Sequence, residues 1–150
     1  MEKKVLAVAS GGGHWVQMRR LRTAFEGLDV AFVSVKATYA EEVPGRRFYA
    51  VRDVTRWDKW GFVILIAQLL RILWRERPDV VITTGSAPGF IALRLAKQLF
   101  GAKTMWIDSI ANCEQMSSSG QRARRFADVW LTQWPHLESD GGPGYWGAVL

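Results

Sequence analysis

The sequence predicts an α/β fold, a Rossmann-like and mostly parallel sheet with flanking helices, on three observations. Short β-branched apolar runs alternate with helical segments along most of the chain, the order expected of parallel strands joined by crossover helices. The clearest run, residues 79–83 (DVVIT), is continuously rather than alternately apolar at its centre, as in a strand covered on both faces. Two runs end in small-residue loops, Ser10-Gly11-Gly12-Gly13 and Thr84-Gly85-Ser86-Ala87-Pro88-Gly89, and each loop leads into a helix. At 150 residues the chain is long enough for one core and too short for two, so residues 1–150 are read as one domain.

The elements follow in order. Residues 4–9 (KVLAVA) form the first strand, and residues 14–25 show helical spacing through Trp15, Met18, Leu21 and Phe25, which gives strand, glycine loop, helix. Residues 30–35 are a second strand, and residues 48–51 a short third after the loop holding Pro44 and Gly45. Residues 57–75 read as a helix that Pro78 closes. After strand 79–83 and its loop, a helix runs from about residue 90 to residue 100, where Gly101 occupies the usual left-handed cap position. Residues 103–107 are the next strand, 112–120 a polar loop, 121–126 a short basic helix and 128–133 a last strand. The tail from Pro135 is glycine-rich and receives no element.

Composition narrows the function classes. Hydrophobic residues make up 49% and charged residues 23%, which suits a folded domain. The formal charge of +6 favours a partner carrying phosphates or other negative charge. Cys113 is the only cysteine, so there is no disulfide framework and no thiolate cluster for a metal, as in a cytoplasmic protein. The charged N-terminus passes straight into a strand with no signal-peptide core. A dinucleotide fingerprint would need glycine where Val16 stands, and no Gly-Lys-Ser/Thr of a P-loop follows the glycines. No cofactor and no metal are expected. Nucleic-acid binding is disfavoured because the basic residues sit beside apolar ones rather than forming a stripe with stacking aromatics.

In an open parallel sheet, ligands lie beyond the carboxyl ends of the strands. Three loops fall there: residues 10–14, 83–89 and 108–119. Gly11, Gly12 and Gly13 have no side chains to block a phosphate, so backbone amides and the positive helix end can approach one; the alternative is a tight strand-to-helix turn alone. His14 is the leading candidate general base, placed to take a proton from an acceptor hydroxyl near neutral pH, or else a helix cap or a donor to phosphate. Asp108 is the second candidate base, or else a brace for its loop.

Residues 60–74 (WGFVILIAQLLRILW) are strongly apolar but shorter than the ~20 residues of a bilayer span, and Gln68 and Arg71 interrupt them. Arg52, Arg56 and Lys59 precede this segment while Arg71, Arg75 and Arg77 end it. With Trp57, Trp60, Phe62 and Trp74, the pattern suits a helix lying in a membrane interface; a helix covering one sheet face is the alternative. A second basic cluster, residues 121–125 (QRARR), suits headgroups, phosphates or plain solvent.

With these loops in place, the chain resembles the membrane-subunit family of two-component glycosyltransferases. That family includes the eukaryotic subunit that helps add the second N-acetylglucosamine to dolichol diphosphate, and bacterial PssD-like exopolysaccharide proteins. The resemblance is carried by residues 10–14 (SGGGH), residues 77–85 (RPDVVITTG) with Pro88, Ala96-Lys97 through Gly101-Ala102-Lys103, Ile107-Asp108-Ser109, and Ala127-Asp128 running to Gln133-Trp134-Pro135. It implies the N-terminal, acceptor-binding half of a MurG-like GT-B fold, with a separate subunit binding the nucleotide-sugar donor. It also implies that Ser10, the glycines, Thr84, Gly85, Ser86 and Ser109 face a polyprenyl-diphosphate-linked sugar, that transfer inverts the anomeric centre, and that the protein sits peripherally on the cytoplasmic face of the plasma or inner membrane. The family commonly has Glu-Ser where this chain has Asp108-Ser109. The eukaryotic member's N-terminal anchor is also missing, which leaves membrane attachment to the Trp60 helix. A non-catalytic recruiter of a complete transferase is the competing expectation.

Overall fold

The computed structural model describes residues 2–55 and 57–149; Arg56, one of the basic residues preceding the apolar helix, lies outside them. Seven strands form one sheet in the order β3-β2-β1-β4-β5-β6-β7, every neighbouring pair parallel. The strands are β1 Lys4–Val8, β2 Asp29–Ser34, β3 Arg47–Ala50, β4 Val80–Thr83, β5 Lys103–Ile107, β6 Val129–Thr132 and β7 Gly144–Tyr145. The helices are α1 Gly13–Arg20, α2 Lys59–Glu76, α3 Ser86–Leu95 and α4 Ser118–Ala123.

Alternation along each strand builds two cores, because successive side chains leave a strand on opposite faces. On one face Leu6, Val8, Ala31, Val33 and Val81 pack under Leu65, Leu69, Ile72 and Leu73 of α2 and Ala92 of α3. Further along that face, Trp106 of β5 meets Leu93 of α3 and Ala123 of α4. On the other face Val5, Ala7, Val30, Phe32 and Ile82 pack with Trp15 and Met18 of α1. Helices α2, α3 and α4 therefore form one layer, and α1 lies across the sheet from them.

Several expectations shift at their edges. The helix expected over residues 14–25 stops at Arg20 and tightens into a 3₁₀ segment, Arg22–Phe25, which swings Phe25 into the core. Helix α3 begins at Ser86, about four residues early, because Pro88 falls in the first turn, where a missing N–H costs no hydrogen bond. Helix α2 starts at Lys59, with Asp58 accepting from the Gly61 N–H at 2.8 Å. Arg77 takes the left-handed conformation (φ 46°) just before Pro78. Helix α4 starts at Ser118, capped by Ser117. The tail left without an element supplies β7, and residues 37–42 form a 3₁₀ segment, Ala37–Glu42, before β3. Gly101 does end the α3 region in the left-handed conformation, φ 64°.

The contact that seats α3 is close. A Cβ on Gly89 would overlap the Thr83 hydroxyl and come within 3.0 Å of its Cβ, and Thr83 is a fully buried, β-branched residue with little freedom to yield. Gly89→Ala is therefore expected to destabilise the fold by about 1–3 kcal/mol, as overpacking does. Thermal unfolding followed by circular dichroism measures this, and an unchanged melting temperature would contradict it.

Candidate functional site

Strand β1 pairs with β2 on one side and β4 on the other, so the strand order reverses between β1 and β4. The chain leaves β1 for α1 on one face and leaves β4 for α3 on the opposite face, which brings both helix N-termini to the carboxyl edge at one point. Neither N-terminus has a side-chain cap, whereas α2 and α4 are capped by Asp58 and Ser117. Uncapped first-turn N–H groups and two positive helix ends thus converge where a parallel sheet binds its ligand.

The backbone needed here is special. Gly12 has φ 66° and ψ −131°, and Gly85 has φ 125° and ψ −173°, regions that side chains exclude. Ser86 follows with φ 72°, a non-glycine residue held in a left-handed conformation at the mouth of α3.

Two reciprocal hydrogen bonds lock the loops together. Nδ1 of His14 lies 2.9 Å from the Thr84 carbonyl oxygen, and the Thr84 hydroxyl donates to the His14 carbonyl at 2.7 Å. A carbonyl only accepts, so Nδ1 carries the proton, and in a neutral imidazole Nε2 is left as the unprotonated nitrogen. A Cβ on Gly85 would stand 3.0 Å from the His14 ring, so glycine is what lets the imidazole lie against this turn. The structure thus joins His14, Gly11, Gly12, Gly13, Thr84, Gly85 and Ser86. Within that group Thr84 is fully buried and acts as the clamp, and Ser10 is buried beneath the loop with its carbonyl near the Ser34 hydroxyl.

The third loop is built differently, and it bears on two expectations. Asp108 is 2% exposed, and its carboxylate accepts four hydrogen bonds: from Trp106 Nε1 at 3.0 Å, Asn112 Nδ2 at 3.2 Å, the Ser117 N–H at 2.9 Å and the Ser117 hydroxyl at 2.6 Å. These hydrogen bonds hold residues 108–117 together, the bracing alternative. Ser109 is also buried, its hydroxyl accepting from Gln17 Nε2 and the Ala111 N–H at 3.2 Å each, so it faces inward instead of toward a ligand.

Three residues absent from the sequence-based set organise the site. Gln17 of α1 accepts from the Ile110 N–H and from Gln133 Nε2, and Gln133 also donates to the Asp108 carbonyl, so α1 ties the third loop to the first. Tyr39, in the Ala37–Glu42 segment, accepts from the Gly12 N–H at 3.1 Å and stacks on Trp15 at 4.9 Å with an interplanar angle of 3°. No local motif announced the contacts of Gln17 and Tyr39, whereas Gln133 stands in the Gln133-Trp134-Pro135 segment quoted for the resemblance.

On the far side of the sheet, α2 presents an exposed apolar stripe. Trp60 is 80% exposed, Val63 55% and Trp74 66%, with Ile64 beside them and the basic Lys59, Arg71 and Arg75 around them. Trp57 is exposed before the helix, and Phe62 is only half-exposed, set partly off the stripe. Among the described residues no helix is long and apolar enough to cross a membrane.

The family described as "Oligosaccharide biosynthesis protein Alg14 like" matches residues 47–149. A UDP-N-acetylglucosamine transferase subunit ALG14 from Eremothecium gossypii is 24% identical over an alignment covering 99% of this chain and 80% of that protein. Among solved structures, MurG of Acinetobacter baumannii superposes with a TM-score of 0.74 at 14% identity, over 94% of this chain and 44% of that one. A UDP-GlcNAc 2-epimerase from Methanocaldococcus jannaschii superposes with a TM-score of 0.63 at 12% identity, over 86% of this chain and 39% of that one. The chain thus spans less than half the length of these enzymes, and what it shares with them is the fold.

The bracing role of Asp108 has a direct consequence. Asp108→Asn sets an amide N–H₂ against donors that now meet oxygen, so stability should fall by about 1–3 kcal/mol, and residues 109–117 should become open to limited proteolysis. A variant as stable and as protected as the wild type would contradict the bracing assignment.

Proposed function

The chain belongs to the Alg14-like family of oligosaccharide biosynthesis proteins, and on that basis we propose that it is the acceptor-binding subunit of a two-component inverting glycosyltransferase. Its acceptor is a polyprenyl-diphosphate-linked sugar, and a separate partner subunit holds the nucleotide-sugar donor. The observation that carries this proposal is the meeting of two uncapped helix N-termini beside the unprotonated Nε2 of His14. A diphosphate is the ligand whose charge two such helix ends satisfy, and an imidazole beside it suits the deprotonation of a sugar hydroxyl.

In the proposed reaction the acceptor diphosphate lies across the first turns of α1 and α3, with the Tyr39 hydroxyl, which already accepts from Gly12, free to donate its own proton to a phosphate oxygen. His14 Nε2 takes the proton of the acceptor hydroxyl as that oxygen bonds to the anomeric carbon of the donor. The bond from that carbon to the nucleotide diphosphate breaks on the opposite side, which inverts the centre. Stabilising the departing diphosphate falls to the partner, since the chain corresponds to less than half of the two-part enzymes whose fold it shares. The relative's designation as a UDP-N-acetylglucosamine transferase subunit makes UDP-N-acetylglucosamine the first donor to try.

The α2 stripe supports peripheral attachment to a membrane, whose cytoplasmic face is the one the proposal takes. One side of α2 already fills the core through Leu65, Leu69 and Leu73, so the tryptophans and branched residues on the other side are surplus to folding. Tryptophan and arginine together favour the headgroup region.

Transfer of labelled sugar to a polyprenyl-diphosphate-sugar, by this chain and its partner subunit separately and together, tests the proposal. Activity is expected only with both chains. His14→Asn, whose side-chain amide nitrogen stands where Nδ1 does and can still donate to the Thr84 carbonyl, should lower kcat about 10²- to 10⁴-fold, the usual worth of a general base. Full activity of the partner alone would make this chain a recruiter and overturn the catalytic role of His14.

A further inference from the structure

A groove between α3 and α4 has the chemistry of an anion site that the acceptor site does not use. It has a volume of about 310 Å³ and is lined by Phe90, Arg94, Gln98, Arg122, Arg125 and Phe126. Three guanidinium groups line it and no carboxylate does. Arg94 is held in place, its Nε donating to Gln98 at 3.3 Å and its guanidinium lying 5.1 Å from the centre of the Phe126 ring. Phe90 meets Phe126 edge to face at 6.1 Å. Arg122 and Arg125 are exposed, and neither forms an ion pair among the described residues. The nearest acid in sequence, Asp128, is already bonded to Lys97. Three like charges gathered around one cavity repel one another, and a bound anion relieves that repulsion.

The position of the groove selects the anion. Helices α2, α3 and α4 share one face of the sheet, so the groove opens on the same outer surface as the Trp60–Trp74 stripe of α2. Leu99, in the segment Ala96–Phe100 that follows α3, is exposed as well. Arginines lining a groove beside aromatic rings match the boundary between acyl chains and phosphates, where apolar rings and cations are both satisfied.

We propose that the α3–α4 groove binds the phosphate of an anionic phospholipid, giving the domain a second contact with the bilayer besides α2. This inference rests on the membrane-facing role given to α2. Two separated contacts fix the tilt of the helical layer as a single stripe cannot. Since α2 and α3 run antiparallel to the strands, their N-terminal ends lie at the edge that carries the glycine loops, and a fixed tilt holds that edge at a constant height above the headgroups.

Co-sedimentation with vesicles tests this, using phosphatidylcholine alone and phosphatidylcholine mixed with phosphatidylglycerol. The wild type should bind the mixed vesicles more tightly. Arg122→Gln with Arg125→Gln should lower the mixed-vesicle partition coefficient about thirtyfold, the worth of two arginines at an anionic surface, and leave binding to phosphatidylcholine unchanged. Arg20→Gln with Arg22→Gln removes the same charge from the opposite side of the sheet and should change binding less than threefold. Equal losses in the two double variants, or an undiminished preference for phosphatidylglycerol in the groove variant, would overturn the inference while leaving the α2 contact standing. If Trp60→Ala with Trp74→Ala leaves all binding intact, or if the wild type binds no vesicle, the α2 reading fails and the groove inference falls with it.

Discussion

Strand β1 is held between β2 and β4, and most of what matters in this molecule depends on that pairing. A strand with parallel neighbours on both sides must send its following helix to one face, while the helix that follows its far neighbour goes to the other. The two helix starts then meet at the carboxyl edge with nothing between them. Glycine at positions 12 and 85 allows the backbone turns that this meeting requires, and the His14–Thr84 exchange fixes their separation. The absence of side-chain caps on these two helices, against caps on α2 and α4, leaves the charge of the edge unspent. A helix end uncapped at a solvent-facing site forgoes stability of about 1 kcal/mol, which is reasonable where a ligand completes the cap.

The same edge separates two candidates for one role. His14 keeps one ring nitrogen on a carbonyl and has the other available, while Asp108 has four donors around it and almost no exposed surface. A carboxylate so enclosed defines the shape of its loop, and Gln17 transmits that shape to α1 and so to the glycine loop. In the proposed reaction, positioning and proton transfer thus fall to residues of different exposure.

The first six strands and the two small-residue loops were legible because both are written locally, in apolar runs and in glycines. Helix starts were less so: Pro88 looked like loop and proved to be first-turn helix, since proline is tolerated there as well as in turns. Strand β7 is two residues long and depends on its pairing with β6 rather than on its own propensity. Asp108 could be placed at a strand end from the sequence but not distinguished as base or brace, because its partners Trp106, Asn112 and Ser117 are assembled by the loop's fold. Tyr39 and Gln17 were invisible for a similar reason, acting across 27 and 92 residues. The tryptophans show the limit of composition: Trp15 and Trp106 are buried core residues while Trp60 and Trp74 face outward, and only packing tells the pairs apart.

The central claim is that the first turns of α1 and α3 together hold a diphosphate, and backbone amide chemical shifts test it most directly. Titrating the isotope-labelled chain with a water-soluble, short-chain prenyl-diphosphate-sugar should give saturable shifts centred on Gly13, His14, Ser86 and Ala87, and none with the corresponding diphosphate-free sugar. Shifts centred elsewhere on the surface, or unchanged when the diphosphate is removed, would contradict the account.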